Sequence, residues 1–118
     1  GIDSLRVSLN SPREELYNPY YRQQSYGLAD VKRSIIYARS GGVFVSANLL
    51  VLPGVSDREE EAEALLSFIA ETRINQVQFR NLNIDPDLYL SIVPRAKGDI
   101  LGMGALYDAV KAAGVLVR

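Results

Sequence analysis

Polar and apolar residues alternate at three places along the chain, and a helical pattern follows each of the first two. Leu5, Val7 and Leu9 alternate with Arg6, Ser8 and Asn10, which predicts a strand over 4–10. A second strand is predicted over 43–52, ending at Pro53-Gly54, and a third over 76–82. Between the first two, Leu28, Val31, Ile35 and Ala38 recur at helical spacing, with Ser25 as cap and Gly41-Gly42 as the stop. Between the second and third, a helix over 57–72 is expected to turn Ala62, Leu65, Leu66 and Ile69 inward. Ser56 and Glu59 have the spacing of a capping box at its start.

The remaining segments are less periodic. Ser11 precedes Pro12-Arg13-Glu14, the pattern of a cap and a helix beginning at Pro12. Tyr17, Tyr20, Tyr21 and Tyr26 follow in a loop whose rings are expected to cover one end of the core. Only Arg13 and Arg22 lie near them, too little charge for a base-stacking surface. Asp85 caps a short helix with Pro86 at its first position, ending near residue 92. A loop over 94–104, a helix over 105–113 stopped by Gly114, and an apolar run over 115–117 complete the chain.

Strands alternating with helices predict right-handed crossovers and a parallel sheet. A sheet covered on both faces would be apolar throughout. Here one face carries Arg6, Ser8 and Asn10, then Ser46 and Asn48, then Gln76, Gln78 and Arg80. Such a face either lines the lumen of a half-barrel or is simply solvated. Its hydroxyls, amides and arginines, in place of lysine and glutamate, favour a binding wall.

Composition narrows the chemistry. At 118 residues the chain reads as one domain over 1–118, short for a complete α/β barrel. A net charge of −1 without a basic run leaves no footprint for nucleic acid. No apolar stretch has membrane-spanning length and no signal-peptide pattern opens the chain, so cytoplasm is the expected compartment. There is no Cys and no His, which removes thiol nucleophiles, thiolate metal sites and the commonest general base. The chain is therefore expected to be either a binding module or one part of a larger active site. Glu59, Glu60, Glu61 and Glu63 sit where a helix dipole favours carboxylates, and they fan around the helix instead of converging on a cation. Lys32, Lys97 and Lys111 fall on helices or loops, so no strand offers a Schiff-base lysine.

Three stretches, Val7–Ser11, Leu49–Asp57 and Val77–Pro86, follow one another with helices between them. In order and spacing they resemble the fourth to sixth strands of a radical S-adenosylmethionine (radical SAM) domain. The resemblance implies an α/β fold, half of a (β/α)6 partial barrel, with three or four parallel strands and flanking helices. It further implies a parent enzyme in which a [4Fe-4S] cluster cleaves S-adenosylmethionine to a 5′-deoxyadenosyl radical. By position, Ser8 and Asn10 match residues that hydrogen-bond the ribose. Asn48 and Leu50 lie in the segment that contacts adenine, and Arg80 to Leu82 match the strand end that meets the adenine edge. The cluster's three-cysteine motif and the first three strands have no counterpart here. The chain thus reads as an inactive fragment contributing the ribose and adenine side of the site, and it is not expected to carry cluster or metal ligands itself. Its expected partners are the missing N-terminal half and, through exposed sheet edges, other copies of itself. The alternative is a complete non-catalytic α/β module that binds a small ligand or a partner chain on the polar sheet face.

Overall fold

A computed structural model describes residues 4–21, 27–82, 85–94 and 98–118. Its elements are β1 (Ser4–Leu9), α1 (Glu14–Tyr20), α2 (Leu28–Ser40), β2 (Phe44–Val51), α3 (Glu59–Thr72), β3 (Gln76–Asn81), α4 (Pro86–Ile92), α5 (Met103–Ala112) and β4 (Leu116–Val117). The strands form one sheet in the order β1-β2-β3-β4, and every pairing is parallel. This open sheet with flanking helices is the architecture of a partial barrel, and the 115–117 run does supply the fourth strand.

Register decides what each face carries. Val7, Ala47, Val77 and Val117 lie side by side, as do Leu9, Leu49 and Phe79. These rows pack against α2, α3 and α5 in the main core, around Ile35, Val45, Leu65, Phe68, Leu106 and Val110. On the other face Arg6, Ser46 and Gln76 form one row and Ser8, Asn48 and Gln78 the next. One further step toward the C-terminal ends, the same parity delivers Leu50 beside Arg80, and then Leu52 and Leu82. Those leucines join Leu16, Tyr20, Val55, Tyr89, Ile92 and Val93 in a second apolar cluster. Apart from Asn10 and Arg80, the polar face is therefore polar over its N-terminal rows and apolar toward its C-terminal end, which α1 and α4 cover.

Several local expectations are corrected. α1 begins at Glu14, not Pro12, and it includes Tyr17 and Tyr20. Tyr17 is buried in the main core and Tyr20 packs in the second cluster. Tyr26, Arg22 and the proposed cap Ser25 lie outside the described residues. At the described start of α2, Gly27 donates its N–H to Asp30 and Leu28 donates to the Asn18 side chain. Ser56 forms no capping box: its hydroxyl accepts the Leu52 N–H at 2.9 Å, inside the turn. α3 starts later, after Arg58, and the Glu59 N–H is taken by the Asp99 carbonyl at 2.9 Å. The inner stripe of α3 is Glu61, Ala62, Leu65, Phe68, Ile69 and Thr72, while Leu66 is exposed. α5 begins at Met103, two residues before the expected start, where Gly102 at φ 91° turns the chain. The Asp85 cap is as expected, its side chain accepting the Asp87 N–H at 3.0 Å.

Candidate functional site

The carboxyl ends of parallel strands are where α/β folds place ligands, because connecting loops and helix N-termini converge there. The Pro53-Gly54 turn at the end of β2 is rigidly built. Gly54 has φ 92°, a backbone region that suits glycine. Its N–H donates to Asp57 Oδ1 at 2.6 Å, and its carbonyl accepts from Arg58 Nε at 2.7 Å. Arg58 also donates to the Gly98 carbonyl at 2.9 Å, which ties the 98–101 segment to the start of α3. Leu52, Val55, Arg58, Pro86, Leu90 and Pro94 line a groove of about 660 Å³ beside this turn.

The six residues singled out from the sequence separate into two groups. Ser8 and Asn48 lie on the polar rows, with Ser8 paired to Asn48 and Asn48 to Gln78, and Arg80 stands one step further along the same face, beside Leu50. Ser8 and Arg80 are exposed and Asn48 is half-buried. Arg80 donates to Gln78 Oε1 at 3.0 Å and so holds that amide in place. Asn48 Oδ1 and Ser46 Oγ are buried without a hydrogen-bond partner among the described residues. An orphaned buried acceptor costs about 1–3 kcal/mol, a cost that a ligand or water reaching the row would relieve.

Asn10, Leu50 and Leu82 belong to the covered end. Asn10 is 1% exposed and its Nδ2 donates to the Leu16 carbonyl at 2.9 Å and to the Tyr89 hydroxyl at 2.7 Å. The asparagine thereby clamps α1 to α4, and its Oδ1 alone is unpartnered. Leu82 is buried in the second cluster, where half-buried Leu50 also packs. The Leu82 N–H is bound to the Val51 carbonyl at 2.8 Å, extending the β2–β3 ladder by one residue.

One buried acid escaped the sequence reading. Glu61 is 3% exposed, and its Oε1 accepts the Ser11 hydroxyl at 2.6 Å. Its Oε2 lies 3.4 Å from an Arg13 guanidinium nitrogen. Burial pushes its carboxyl up from the ordinary 4.5 to about 7, although the Ser11 hydroxyl and the Arg13 charge both favour the ionised form. Burial likewise raises the Tyr89 hydroxyl to about 12, against the opposing hydrogen bond from Asn10. The signal was present: Glu61, Leu65, Phe68 and Thr72 are spaced four, three and four apart, one side of a helix. Ser11 is completely buried, so this network ties the β1–α1 connection to α3 and does not offer a nucleophile.

Iron–sulfur ligation needs thiolates, and the 118 residues contain neither Cys nor His. Among the described residues no group of three or more acidic, Cys or His side chains could hold a metal ion. The cluster implied by the sequence resemblance therefore does not fit this chain. An adenosyl group does suit the wall: the Ser8 hydroxyl and the orphaned Asn48 Oδ1 stand side by side below the half-buried Leu50.

By sequence, no protein-family model and no curated protein matches the chain. Among solved structures it is similar to a radical SAM methyltransferase from Sphaerobacter thermophilus, with a TM-score of 0.63 and 22% identity over 98% of this chain. The chain spans 33% of that protein's length. The likeness is one of fold: the open parallel sheet with its helices recurs inside a protein about three times longer. Among the described residues no helix is long and apolar enough to cross a membrane.

Proposed function

We propose that this chain supplies the ribose- and adenine-facing wall of an S-adenosylmethionine site, completed by a second segment that carries the iron–sulfur ligands. The observation that carries the reading is the Ser8–Asn48 row, where a surface hydroxyl adjoins a buried, unpartnered amide oxygen. Two adjacent polar groups of fixed geometry match the two hydroxyls of a ribose, and Leu50 above them offers an apolar edge to a purine. The radical SAM fold likeness supports the assignment. S-adenosylmethionine bound to a cluster is a source of a carbon-centred radical, and the role of this chain is to bind and orient the adenosyl end. Arg80 fixes Gln78 beside the row, so the wall is pre-ordered before ligand arrives.

The completing segment is proposed to dock along β1. Among the described residues β1 pairs on one side only, and Leu5, Val7, Tyr17, Tyr21 and Val31 line a groove of about 570 Å³ beside it. In its absence the same edge is proposed to pair with another copy. Sedimentation at tens of micromolar would then show dimers or larger species, whereas a clean monomer would count against edge pairing.

Titration with S-adenosylhomocysteine, followed by amide chemical shifts, tests the wall. Without the cluster-bound amino and carboxylate anchors, binding is expected at a Kd of about 1 mM, close to −4 kcal/mol. Shifts should centre on Ser8, Asn48 and Gln78. Asn48→Leu should abolish them while leaving the fold as stable as before or slightly more so, because an orphaned buried amide oxygen is removed and an apolar side chain takes its place. Submicromolar affinity, or shifts that survive in Asn48→Leu, would sink the assignment.

A further inference from the structure

We infer that the N-terminal end of the polar face is a separate anion site, built to hold a carboxylate or phosphate group of a small acidic ligand. The row Arg6–Ser46–Gln76 lies one pleat repeat below Ser8–Asn48–Gln78, about 7 Å away along the strands. Arg6, Phe44, Ser46, Gln76, Gln78 and Arg118 line a cavity of about 170 Å³ there, with no described acidic side chain among its walls.

Three features mark it as a binding site and not a solvated surface. Ser46 is 7% exposed and lines this cavity, yet its Oγ has no hydrogen-bond partner among the described residues. Gln76 and Gln78 are each 7% exposed, although amides of this length ordinarily reach solvent. Arg6 is exposed and, like most of the described arginines, makes no ion pair among the described residues, so its charge is available to a ligand at this cavity. A guanidinium at the rim, a hydroxyl at the floor and amides at the side are the donor set that carboxylates and phosphates select, the guanidinium giving two parallel hydrogen bonds. The cavity volume suits such a group with a short carbon chain. Larger ligands would have to extend upward along the wall toward Ser8 and Asn48.

The site borders the adenosyl wall at Gln78, which lines both, but it is carried by Arg6, Ser46 and Gln76 of the neighbouring row and so stands independently of the adenosyl reading. Its test is a chemical-shift titration of the chain with inorganic phosphate and, separately, with acetate, at constant ionic strength set by sodium chloride. Saturable shifts at Ser46 and Gln76 and at the Arg6 side-chain Nε are expected for at least one of the two anions. The anion that saturates at lower concentration identifies the ligand class. Arg6→Gln, at an exposed position, should weaken that binding about tenfold, as expected for removal of a charge-assisted pair. Ser46→Ala is the second variant and should weaken it without altering the rest of the spectrum. Shifts that never saturate, that chloride reproduces equally, or that persist unchanged in Arg6→Gln would overturn the assignment. S-adenosylhomocysteine reports at Ser8 and Asn48 in its own titration, so either site can fail without the other.

Discussion

Glu61 gives the chain a pH dependence that can be worked out in advance. Its carboxyl titrates near 7 in the folded chain against 4.5 ordinarily, so the folded state holds the proton more tightly than the unfolded state does. Stability from this group is complete below pH 4.5 and is lost as pH rises through about 7. At roughly 1.4 kcal/mol per pH unit, the unfolding free energy should fall by about 2.5 kcal/mol between pH 5 and pH 8. With no His or Cys in the sequence, the side chains that ordinarily titrate in that window are absent, which isolates the effect. Urea unfolding followed by circular dichroism at pH 5, 6, 7 and 8 measures it. Glu61→Gln keeps the shape and accepts from Ser11, but cannot ionise, so its profile should be nearly flat and should cross above the wild type at high pH. The chain's α-amino group contributes to both profiles and cancels in their difference. A wild type equally stable at pH 5 and pH 8, or a Glu61→Gln variant with the same slope as the wild type, would refute the burial argument.

Two further outcomes probe the scaffold. Ile35 is fully buried between α2 and the sheet, and Ile35→Ala should cost about 3–4 kcal/mol of unfolding free energy, read as a lower urea midpoint. A loss under about 1 kcal/mol would mean the main core is not packed as described. Asp57→Ala removes the acceptor of the Gly54 N–H, so it should cost about 1–2 kcal/mol and speed hydrogen exchange at that amide. Unchanged exchange at Gly54 would show that Asp57 does not hold the turn.

Legibility followed the period of each element. The alternation at Leu5, Val7 and Leu9 and at Val45, Ala47 and Leu49 marked strands with one apolar face, and parallel register aligned those positions into shared rows. The helix stripe of α2 was equally plain, since Leu28, Val31 and Ile35 are all buried. α3 was misjudged by part of a turn because its first residues are acidic, and carboxylates at a helix start have a sufficient explanation in the dipole. Ser11 and Arg13 supply the partners that let Glu61 be buried, and they come from the end of a different strand. Ser56 had the spacing of a cap, but the tight turn at Gly54 placed its hydroxyl against the Leu52 N–H before the helix began.

What the sequence determined alone was the succession of strands and helices, the parallel topology, the apolar face, and the chemistry forbidden by the lack of Cys and His. Each depends on local periodicity or on composition, which the chain carries without folding. What only the tertiary structure decided was which polar residues stay open. Asn10 and Asn48 lie on the same sheet face by parity, yet α4 reaches over the sheet to bond the Asn10 amide nitrogen through Tyr89 and bury that residue, while Asn48 stays half-buried. A residue's period tells which way it points. What it meets there is set by elements far away in sequence, through packing that no local pattern encodes.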